Sequence, residues 1–462
     1  MKKIALIVFS ILMTMTAFAQ NGGTKTITLT DAERTLVEQN SDFAFNLFRK
    51  VRKTENVVIS PLSITYALGM LNNGADSITR EEICQVLSGG QLTGYADVAT
   101  MNAFCRKMLT ESALLDEKTQ VAIANSIFFN GDRRDIALKS VFKDAAAKYY
   151  DATPSVLSFS DAATLDVINQ WASDHTDGMI RDLLRAEDLQ DPNLVSFLLN
   201  AICFKGAWAS PFDETFTRQG AFDGTKGTAM LMSQSEEFRY AENDLCQSVI
   251  LPYGNGSYQM TLFLPRPEKT LDDLLETLNG KSWLSADYQY CQVNLTMPRI
   301  ETDTNQDLVD IMASLGMQNA FMKYKGYGFM DFCYYGDNEE DTDPCWIGMM
   351  RQKAHLKLDE KGTEAAAVTV IGMYDKAMPH DKVVTFVADR PFLYIISERS
   401  TGNIFFIGQY TGEGTTGIGD AVRINNEELN NNTVYDLQGR RMAKDQLKKG
   451  LYIVGGKKTI VK

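Results

Sequence analysis

The chain has 462 residues, 44% of them hydrophobic, and a formal net charge of −13. This acidic balance disfavours binding to nucleic-acid phosphates or to anionic lipid, both of which need clustered Lys and Arg. The length allows one large domain or two to three ordinary ones. We therefore expect a protein with a sizeable core that does not bind nucleic acid.

The N-terminus has the features of a targeting segment. Lys2 and Lys3 precede the apolar run 4–18, and the residues Ala17-Phe18-Ala19 fit a small-x-small cleavage site. The run is too short to span a bilayer comfortably, and no later stretch is long and apolar enough to do so. We predict that residues 1–19 are a signal peptide, that the protein is secreted or lies at the cell surface, and that it does not insert into a membrane.

The hydrophobic pattern changes along the chain. Helical periodicity dominates the first part, with a short strand at 57–59 and helices predicted over 28–52, 62–73, 83–87, 101–114 and 165–184. Strand patterns dominate from about residue 195, over 195–204, 247–252, 258–265, 292–298, 354–358, 383–387, 392–398 and 404–410. The interleaved elements predict one α+β domain over residues 28–411.

A change of composition follows Thr411. Residues 412–419 are rich in Gly and Thr, which is typical of a flexible linker. Two short strands are predicted after it, at 433–441 and 450–454. We assign 412–425 to a linker and 426–462 to a small C-terminal β segment.

The seven cysteines are too widely spread for a disulfide-stapled small fold, and no pair has the C-x2–4-C spacing of a zinc site. Cys333 and Cys345 flank an acidic, aromatic loop, where they either form a disulfide or remain thiols; both alternatives stay open. The three histidines, His175, His355 and His380, accompany neither a G-x-S-x-G nor an H-E-x-x-H motif. We expect no catalytic site, no metal and no cofactor.

A series of motifs runs through residues 30–411 in one order. It comprises 56–64, Asn169-x-Trp171, 199–208, 251–253, 262–265, 297–299, 315–317, 359–367 and 389–392. Together these motifs resemble the serpins, the serine protease inhibitor family. The resemblance implies three β-sheets clad by eight or nine helices, with an exposed reactive loop that a protease cleaves and that then inserts into the central sheet. It marks as structural the motif residues Ser60, Pro61, Asn200, Trp208, Arg299, Pro391 and Phe392.

The hinge before the reactive loop can be read directly from its residues. In a strand, alternate side chains lie on opposite faces. Thr363, Ala365 and Ala367 then share a face that is small and uncharged, and this face can enter a close-packed interior, whereas Glu364 and Ala366 lie on the other face. The hinge therefore favours insertion and an inhibitory function.

Two further features of the hinge follow from the resemblance. Gly362 matches the hinge glycine of the family, a residue that tolerates unusual backbone angles. Glu360 and Arg299 occupy the positions of an ion pair at the top of the central sheet, the alternative being two unrelated charges.

The reactive bond depends on how the loop is counted. The usual loop length from Gly362 places it between Lys376 and Ala377, whereas counting back from Pro391 places it within 377–380. Lys376 is the only basic residue between the hinge and Pro379, which favours a trypsin-like serine protease with an acid in its primary pocket. Tyr374 and Met378 are alternatives, for chymotrypsin-like, elastase-like or cysteine proteases.

Two functions from different classes fit the sequence. The leading hypothesis is a monomeric, secreted inhibitor that traps its target protease covalently. The alternative is a non-inhibitory serpin that acts as a binding or chaperone scaffold. Non-inhibitory serpins tend to carry bulky, charged or Pro residues on the inserting face, and residues 363–367 carry none of these there.

The C-terminal tail carries a second resemblance. Residues 434–441 and 450–454, with the basic pair Lys457-Lys458, resemble the sorting domains that Bacteroidetes use for type IX secretion. This implies recognition of the tail by secretion machinery and export past the outer membrane. A small structural β appendage is the alternative, and the sequence leaves open whether the tail is removed or the protein is anchored.

Overall fold

The computed structural model describes residues 25–90, 95–223, 227–323, 328–341, 345–363 and 382–412, together with five short strands between 422 and 461. The predicted signal peptide, most of the linker and loop residues 364–381 lie outside the described residues. Predictions for Glu364, Ala365, Ala366, Ala367, Tyr374, Lys376, Ala377 and Met378 therefore concern residues that the structure does not describe.

The described residues form nine α-helices. They are α1 (Asp31–Val51), α2 (Pro61–Asn72), α3 (Ser77–Leu87), α4 (Tyr95–Glu111), α5 (Ser140–Tyr150), α6 (Ala163–His175), α7 (Leu271–Thr277), α8 (Gly280–Leu284) and α9 (Val309–Leu315). Their starts follow capping chemistry. Thr30 and Glu33 form a capping box at α1, and Ser60 caps α2 by accepting from the backbone N–H of Ser63, with Pro61 as the first helical residue.

The strands before residue 412 are β1 (Val57–Ile59), β2 (Thr119–Asn130), β3 (Ile136–Leu138), β4 (Pro154–Leu157), β5 (Ser196–Ala207), β6 (Arg218–Phe222), β7 (Gly227–Glu242), β8 (Cys246–Tyr253), β9 (Tyr258–Pro265), β10 (Gln289–Pro298), β11 (Ile300–Asp307), β12 (Cys333–Tyr335), β13 (Arg351–Asp359), β14 (Gly362–Thr363), β15 (Val383–Val387), β16 (Phe392–Glu398) and β17 (Ile404–Tyr410). The C-terminal segment adds β18 (Val422–Ile424), β19 (Val434–Tyr435), β20 (Arg441–Met442), β21 (Gly450–Val454) and β22 (Lys457–Val461).

Three sheets organise the main domain. A nine-stranded sheet runs β1-β17-β16-β9-β8-β7-β10-β15, with β6 added on β7, and a six-stranded sheet runs β11-β13-β14-β5-β2-β4. β12 pairs with β3 in a small third sheet, and β18 to β22 form a separate five-stranded sheet. Every residue of β16 and β17 is buried, so these two strands lie at the centre of the core.

The predicted α+β class with three sheets and eight or nine helices is confirmed. One helix was predicted too long: α6 ends at His175 instead of continuing to residue 184. Asp177 and Gly178 adopt φ values of 50° and 78°, and the Thr176 hydroxyl donates to the Ala172 carbonyl, which together end the helix. The long strands β2 and β7 were missed, because neither shows a clean alternation of apolar and polar residues.

Candidate functional site

The start of the predicted hinge lies inside the six-stranded sheet. Gly362 and Thr363 form β14, between β13 and β5 in the strand order. Thr363 faces Leu358 on β13 and Gly206 on β5, and both pairings are antiparallel. The chain therefore lies within the sheet just before the predicted reactive loop.

The side chain of Thr363 contacts a buried tyrosine, Tyr253. The side chain of Thr363 is 1% exposed, and its hydroxyl lies 2.6 Å from the hydroxyl of Tyr253. Tyr253 stacks on Trp208 with a ring separation of 4.4 Å. The Trp208 indole donates to the carbonyl of Asp359 at 3.0 Å, and its backbone N–H donates to the carbonyl of Lys361 at 2.9 Å. Burial raises the pKa of Tyr253, so its hydroxyl stays protonated.

Two glycines allow the hinge to approach β5. Gly362 has a φ of 142°, and a Cβ at this position would lie 2.0 Å from the carbonyl oxygen of Gly206. A Cβ on Gly206 would in turn lie 2.8 Å from the Tyr253 ring. A side chain at position 362 would push β14 away from β5, and one at position 206 would displace the Tyr253 ring that contacts Thr363.

An ion pair holds the turn between β13 and β14. The Arg299 guanidinium donates to both carboxylate oxygens of Glu360, at 2.8 to 3.1 Å, and the Thr217 hydroxyl donates to the same carboxylate at 2.5 Å. Burial by itself would raise the pKa of Glu360, but the hydrogen bonds from Arg299 and Thr217 outweigh it and lower the pKa. The side chain of Glu360 is 4% exposed and that of Arg299 is 43% exposed, so the carboxylate depends on its partner more than the guanidinium does.

A small cavity of about 20 Å³, partly open to solvent, lies further along the two strands that flank β14. We call this space between β5 and β13 the slot. β5 contributes Asn200 and Ile202 to its lining, and β13 contributes residues 352–355. The Gln352 amide is hydrogen-bonded to the backbone N–H and C=O of Ser60, and Ser60 and Ser63 also line the cavity. The side-chain oxygen of Asn200 is buried without a hydrogen-bond partner among the described residues.

An ion pair fixes the chain at the C-terminal end of the predicted loop. Lys382 is the first described residue after the loop, and it pairs with Glu242 at 2.9 Å, while Arg266 pairs with the same carboxylate at 3.0 Å. Hydrogen bonds from Lys382 and Arg266 lower the pKa of Glu242 to about 2. β15 then pairs in parallel with β10. Beyond it, Phe392 follows Pro391 as the first residue of β16 and packs 5.6 Å from the Tyr410 ring.

Comparison with known proteins identifies the architecture. The sequence model of the family described as "Serpin (serine protease inhibitor)" matches residues 38–412. The chain belongs to the serpin family. Serpins are mostly protease inhibitors and are generally not enzymes.

Individual relatives agree with this assignment. This serpin is 30% identical to Serpin B6 of Macaca fascicularis over 389 residues, covering 81% of this chain and 99% of the relative. It is 27% identical to human neuroserpin over 391 residues, covering 80% and 90%. The structure of tengpin, a thermophilic serpin in the native state, superimposes with a TM-score of 0.72 at 26% identity, covering 84% and 96%. Human thyroxine-binding globulin has the same fold, with a TM-score of 0.69 at 24% identity over 83% of this chain and all of that one.

Both histidines that the structure describes contact neighbouring protein groups. His175 contacts the Trp171 carbonyl at 2.7 Å, His355 contacts Asp303 at 2.8 Å, and His380 is outside the described residues. The described part of the serpin contains no group of three His, Cys, Asp or Glu residues suited to a metal ion. Six of the seven cysteines are buried, Cys333 among them, and Cys345 is half-buried. Among the helices that the structure describes, none has the length and apolarity needed to cross a bilayer.

The structure brings several of the sequence-predicted residues together and adds others. Glu360, Gly362, Thr363, Arg299 and Trp208 lie around β14, whereas Ser60, Pro61 and Asn200 lie near the slot. No role was predicted for Tyr253, the partner of Thr363, or for Thr217, the second donor to Glu360. The motif 251–253 contained Tyr253, but nothing local connected it to a residue 110 positions away.

Proposed function

We propose that this serpin inhibits a protease by covalent trapping. The protease cleaves the reactive loop, and the loop then inserts between β5 and β13. The observation that carries this proposal is the register of β14, because Gly362 and Thr363 already lie between the two strands and point along the slot.

The register predicts which residue would reach the cavity. Each step forward along an inserting loop moves one step back along both antiparallel neighbours. Six steps beyond Thr363, Thr369 would lie between Asn200 and Gln352, both of which line the cavity. The Thr369 hydroxyl could then donate to the Asn200 oxygen that has no partner in the described residues.

The intervening positions would also fit. On the same register, Ala365 would lie between Phe204 and Leu356, which are 3% and 2% exposed. Ala367 would lie between Ile202 and Ala354, which are also buried. Methyl side chains add apolar contact at these positions without overpacking the buried face.

Trapping follows from the order of two chemical steps. The serine hydroxyl of the protease attacks the carbonyl carbon of the reactive bond, its proton passes to the leaving amine, and an ester joins protease to loop. Insertion would then move the ester before water hydrolyses it. The register of β14 supports insertion, because Gly362 and Thr363 already lie between β13 and β5.

We infer that the reactive bond is Lys376–Ala377 and that the target is a trypsin-like protease. Lys376 would place a cation in the acidic primary pocket of such an enzyme. Tyr374 and Met378 remain the alternative residues for proteases with apolar pockets. We also propose that the protein is secreted through the signal peptide at 1–19, and that secretion machinery recognises the C-terminal β segment.

Thr363→Arg tests the insertion. The arginine introduced at position 363 would replace a side chain that is already buried between β13 and β5 beside Tyr253. Burying its charge is costly, so the start of the hinge should be displaced from the sheet and the loop cleaved without trapping. A panel of purified proteases is incubated with the full chain, and denaturing gels show complex against cleaved chain. Glu364→Gln is the matched control, since residue 364 belongs to the opposite face and its change should leave the complex intact.

The same gels distinguish the alternative function. A non-inhibitory scaffold would be cleaved by the panel and released in both wild type and variants. A complex formed equally well by Thr363→Arg and by wild type would contradict the insertion mechanism.

A further inference from the structure

The chain contains sites of a spontaneous chemical modification. Asparagine followed by glycine is the pair most prone to deamidation, because glycine has no Cβ to hinder the attack of its backbone nitrogen on the asparagine side chain. Four such pairs lie in the described residues, at Asn73-Gly74, Asn130-Gly131, Asn255-Gly256 and Asn279-Gly280. Because the reaction starts at the backbone N–H of the glycine, the group that accepts this N–H determines how well each pair is protected.

The four glycines differ in the acceptor of their N–H. In three pairs the acceptor is a backbone carbonyl, that of Leu71 for Gly74, of Leu157 for Gly131 and of Tyr253 for Gly256. The N–H of Gly280 instead donates to the Asp42 carboxylate, at 2.7 Å. Asp42 lies on α1, 238 positions away in the chain. Of the described pairs, Asn279-Gly280 alone therefore depends on a side chain of a distant element.

Helix α1 holds the chain on both sides of Asn279. Arg49 donates to the carbonyl of Leu278, the residue before Asn279, and Asp42 accepts the N–H of the residue after it. Asp42 and Arg49 are about two helical turns apart, so they lie on the same face of α1. The contact is close, because a Cβ on Gly280 would lie 1.9 Å from the carbonyl oxygen of Glu38. The start of α8 can therefore move only by separating from α1.

Asn279 is exposed to water, which is a reactant in deamidation. It is the N-cap of α8, and its side-chain oxygen accepts from the backbone N–H of Ser282 at 2.9 Å. Asn255 is also exposed, and its side-chain oxygen accepts from the backbone N–H of Ser257 at 2.9 Å. The two asparagines thus match in exposure and in side-chain hydrogen bonding, and they differ in the group that holds the following glycine.

Deamidation at Asn279 would take two steps. The Gly280 nitrogen gives its proton to a solvent base and attacks Cγ of Asn279. The bond from Cγ to Nδ2 then breaks, ammonia leaves with a proton from water, and a succinimide ring remains. Water opens the ring at either carbonyl carbon, which leaves aspartate or isoaspartate. The hydrogen bond to Asp42 opposes the first step, because an N–H held beside a negative charge is harder to deprotonate.

We propose that Asn279-Gly280 is a deamidation site held closed by Asp42, and that the site becomes reactive when α8 separates from α1. The modification would make that separation permanent. Isoaspartate adds one methylene to the main chain, and the close approach of Gly280 to Glu38 leaves no room for the longer chain to pack again. This inference concerns the contact between two helices and does not rest on protease trapping.

The test follows deamidation at two asparagines of the same chain. The full chain and its Asp42→Ala variant are kept in mildly alkaline buffer below their unfolding temperatures. Mass spectrometry of digests measures conversion at Asn279 and at Asn255, the internal control, and isoaspartyl methyltransferase measures the isoaspartate formed. We expect Asn279 to convert roughly tenfold faster in the variant, which is the effect of losing one hydrogen bond to a charged group, while Asn255 keeps its rate. Equal acceleration at both asparagines would overturn the role of Asp42.

Two further variants exclude an indirect effect. Asp42→Asn keeps an oxygen acceptor without its charge, so it should raise the rate at Asn279 by a smaller factor, and it serves as the test if Asp42→Ala does not fold. Asn279→Ser, added to Asp42→Ala, retains a capping hydroxyl and should abolish the additional isoaspartate. An unchanged or lower rate at Asn279 in Asp42→Asn, or additional isoaspartate that persists without Asn279, would overturn the proposal.

Discussion

The hydroxyl of Thr363 lies 2.6 Å from the hydroxyl of Tyr253, although the two residues are 110 positions apart. Both side chains are buried, at 1% and 0% exposure. Thr363, the first residue of the predicted inserting face, therefore already contacts the buried hydroxyl of Tyr253.

Removing this contact should lower stability in a coupled way. Tyr253→Phe leaves the Thr363 hydroxyl buried without its partner and should cost about 1 kcal/mol of unfolding free energy. Thr363→Val should cost a similar amount. The double variant should lose little more than either single variant, as measured by urea unfolding, because the contact can be lost only once. Strictly additive losses would show that the two hydroxyls do not interact.

Breaking the Arg299–Glu360 ion pair should cost more stability than breaking an exposed pair, because the Glu360 carboxylate is buried. Arg299→Ala leaves the buried Glu360 carboxylate without its main partner and should cost about 2 kcal/mol at neutral pH. Lys357→Ala, which breaks an exposed pair with Glu301, should change stability little. Melting temperatures of both variants against wild type measure the difference, and equal losses would contradict the interpretation that burial of Glu360 decides it.

The effect of Arg299→Ala should depend on pH. In wild type the pKa of Glu360 lies below its ordinary value of 4.5, so its stabilising contribution is complete above that value and is lost as the pH falls through the lowered pKa. Without Arg299, burial is less opposed and the pKa rises, so protonation relieves the buried charge in mild acid. The gap between variant and wild type should therefore narrow as the pH falls below about 5. A gap that widens on acidification would contradict this assignment.

Gly362→Ala should expel β14 from the sheet. The new Cβ would meet the Gly206 carbonyl at 2.0 Å, and its backbone would be strained at a φ of 142°, for a combined cost of about 2 kcal/mol or more. Gly336→Ala is the control, because Gly336 has a φ of 64° but nothing lies within 4 Å of its Cβ position. Limited proteolysis should cut the hinge of the first variant faster than that of the control or of wild type.

Lys376→Ala should separate two classes of protease. The primary pocket of a trypsin-like protease contains a carboxylate, and alanine offers this carboxylate no cationic partner. Complex formation with trypsin should therefore fall by a hundredfold or more. Capture of elastase-like enzymes at neighbouring bonds should persist. Mass spectrometry of the released peptide locates the reactive bond, and a cut at Met378 or beyond would show that counting from Gly362 used the wrong loop length.

Much of this protein could be read from short stretches of sequence. The ordered motifs from residue 56 to residue 392 predicted the family and the α+β fold, and small residues at alternate positions predicted an inserting face. The need for glycine at 362 also followed from the motif. These are local properties, because a backbone angle, a strand period or a motif depends on a few consecutive residues.

Only the tertiary structure decided the rest. Three relationships depend on strand order in the six-stranded sheet. Thr363 contacts Tyr253, and Arg351 forms hydrogen bonds with Asp188. The register of β14 leads along the sheet to the cavity lined by Asn200 and Gln352. Each joins residues more than a hundred positions apart. Such contacts leave no periodic signal, because they arise only when the strands that carry them are placed side by side.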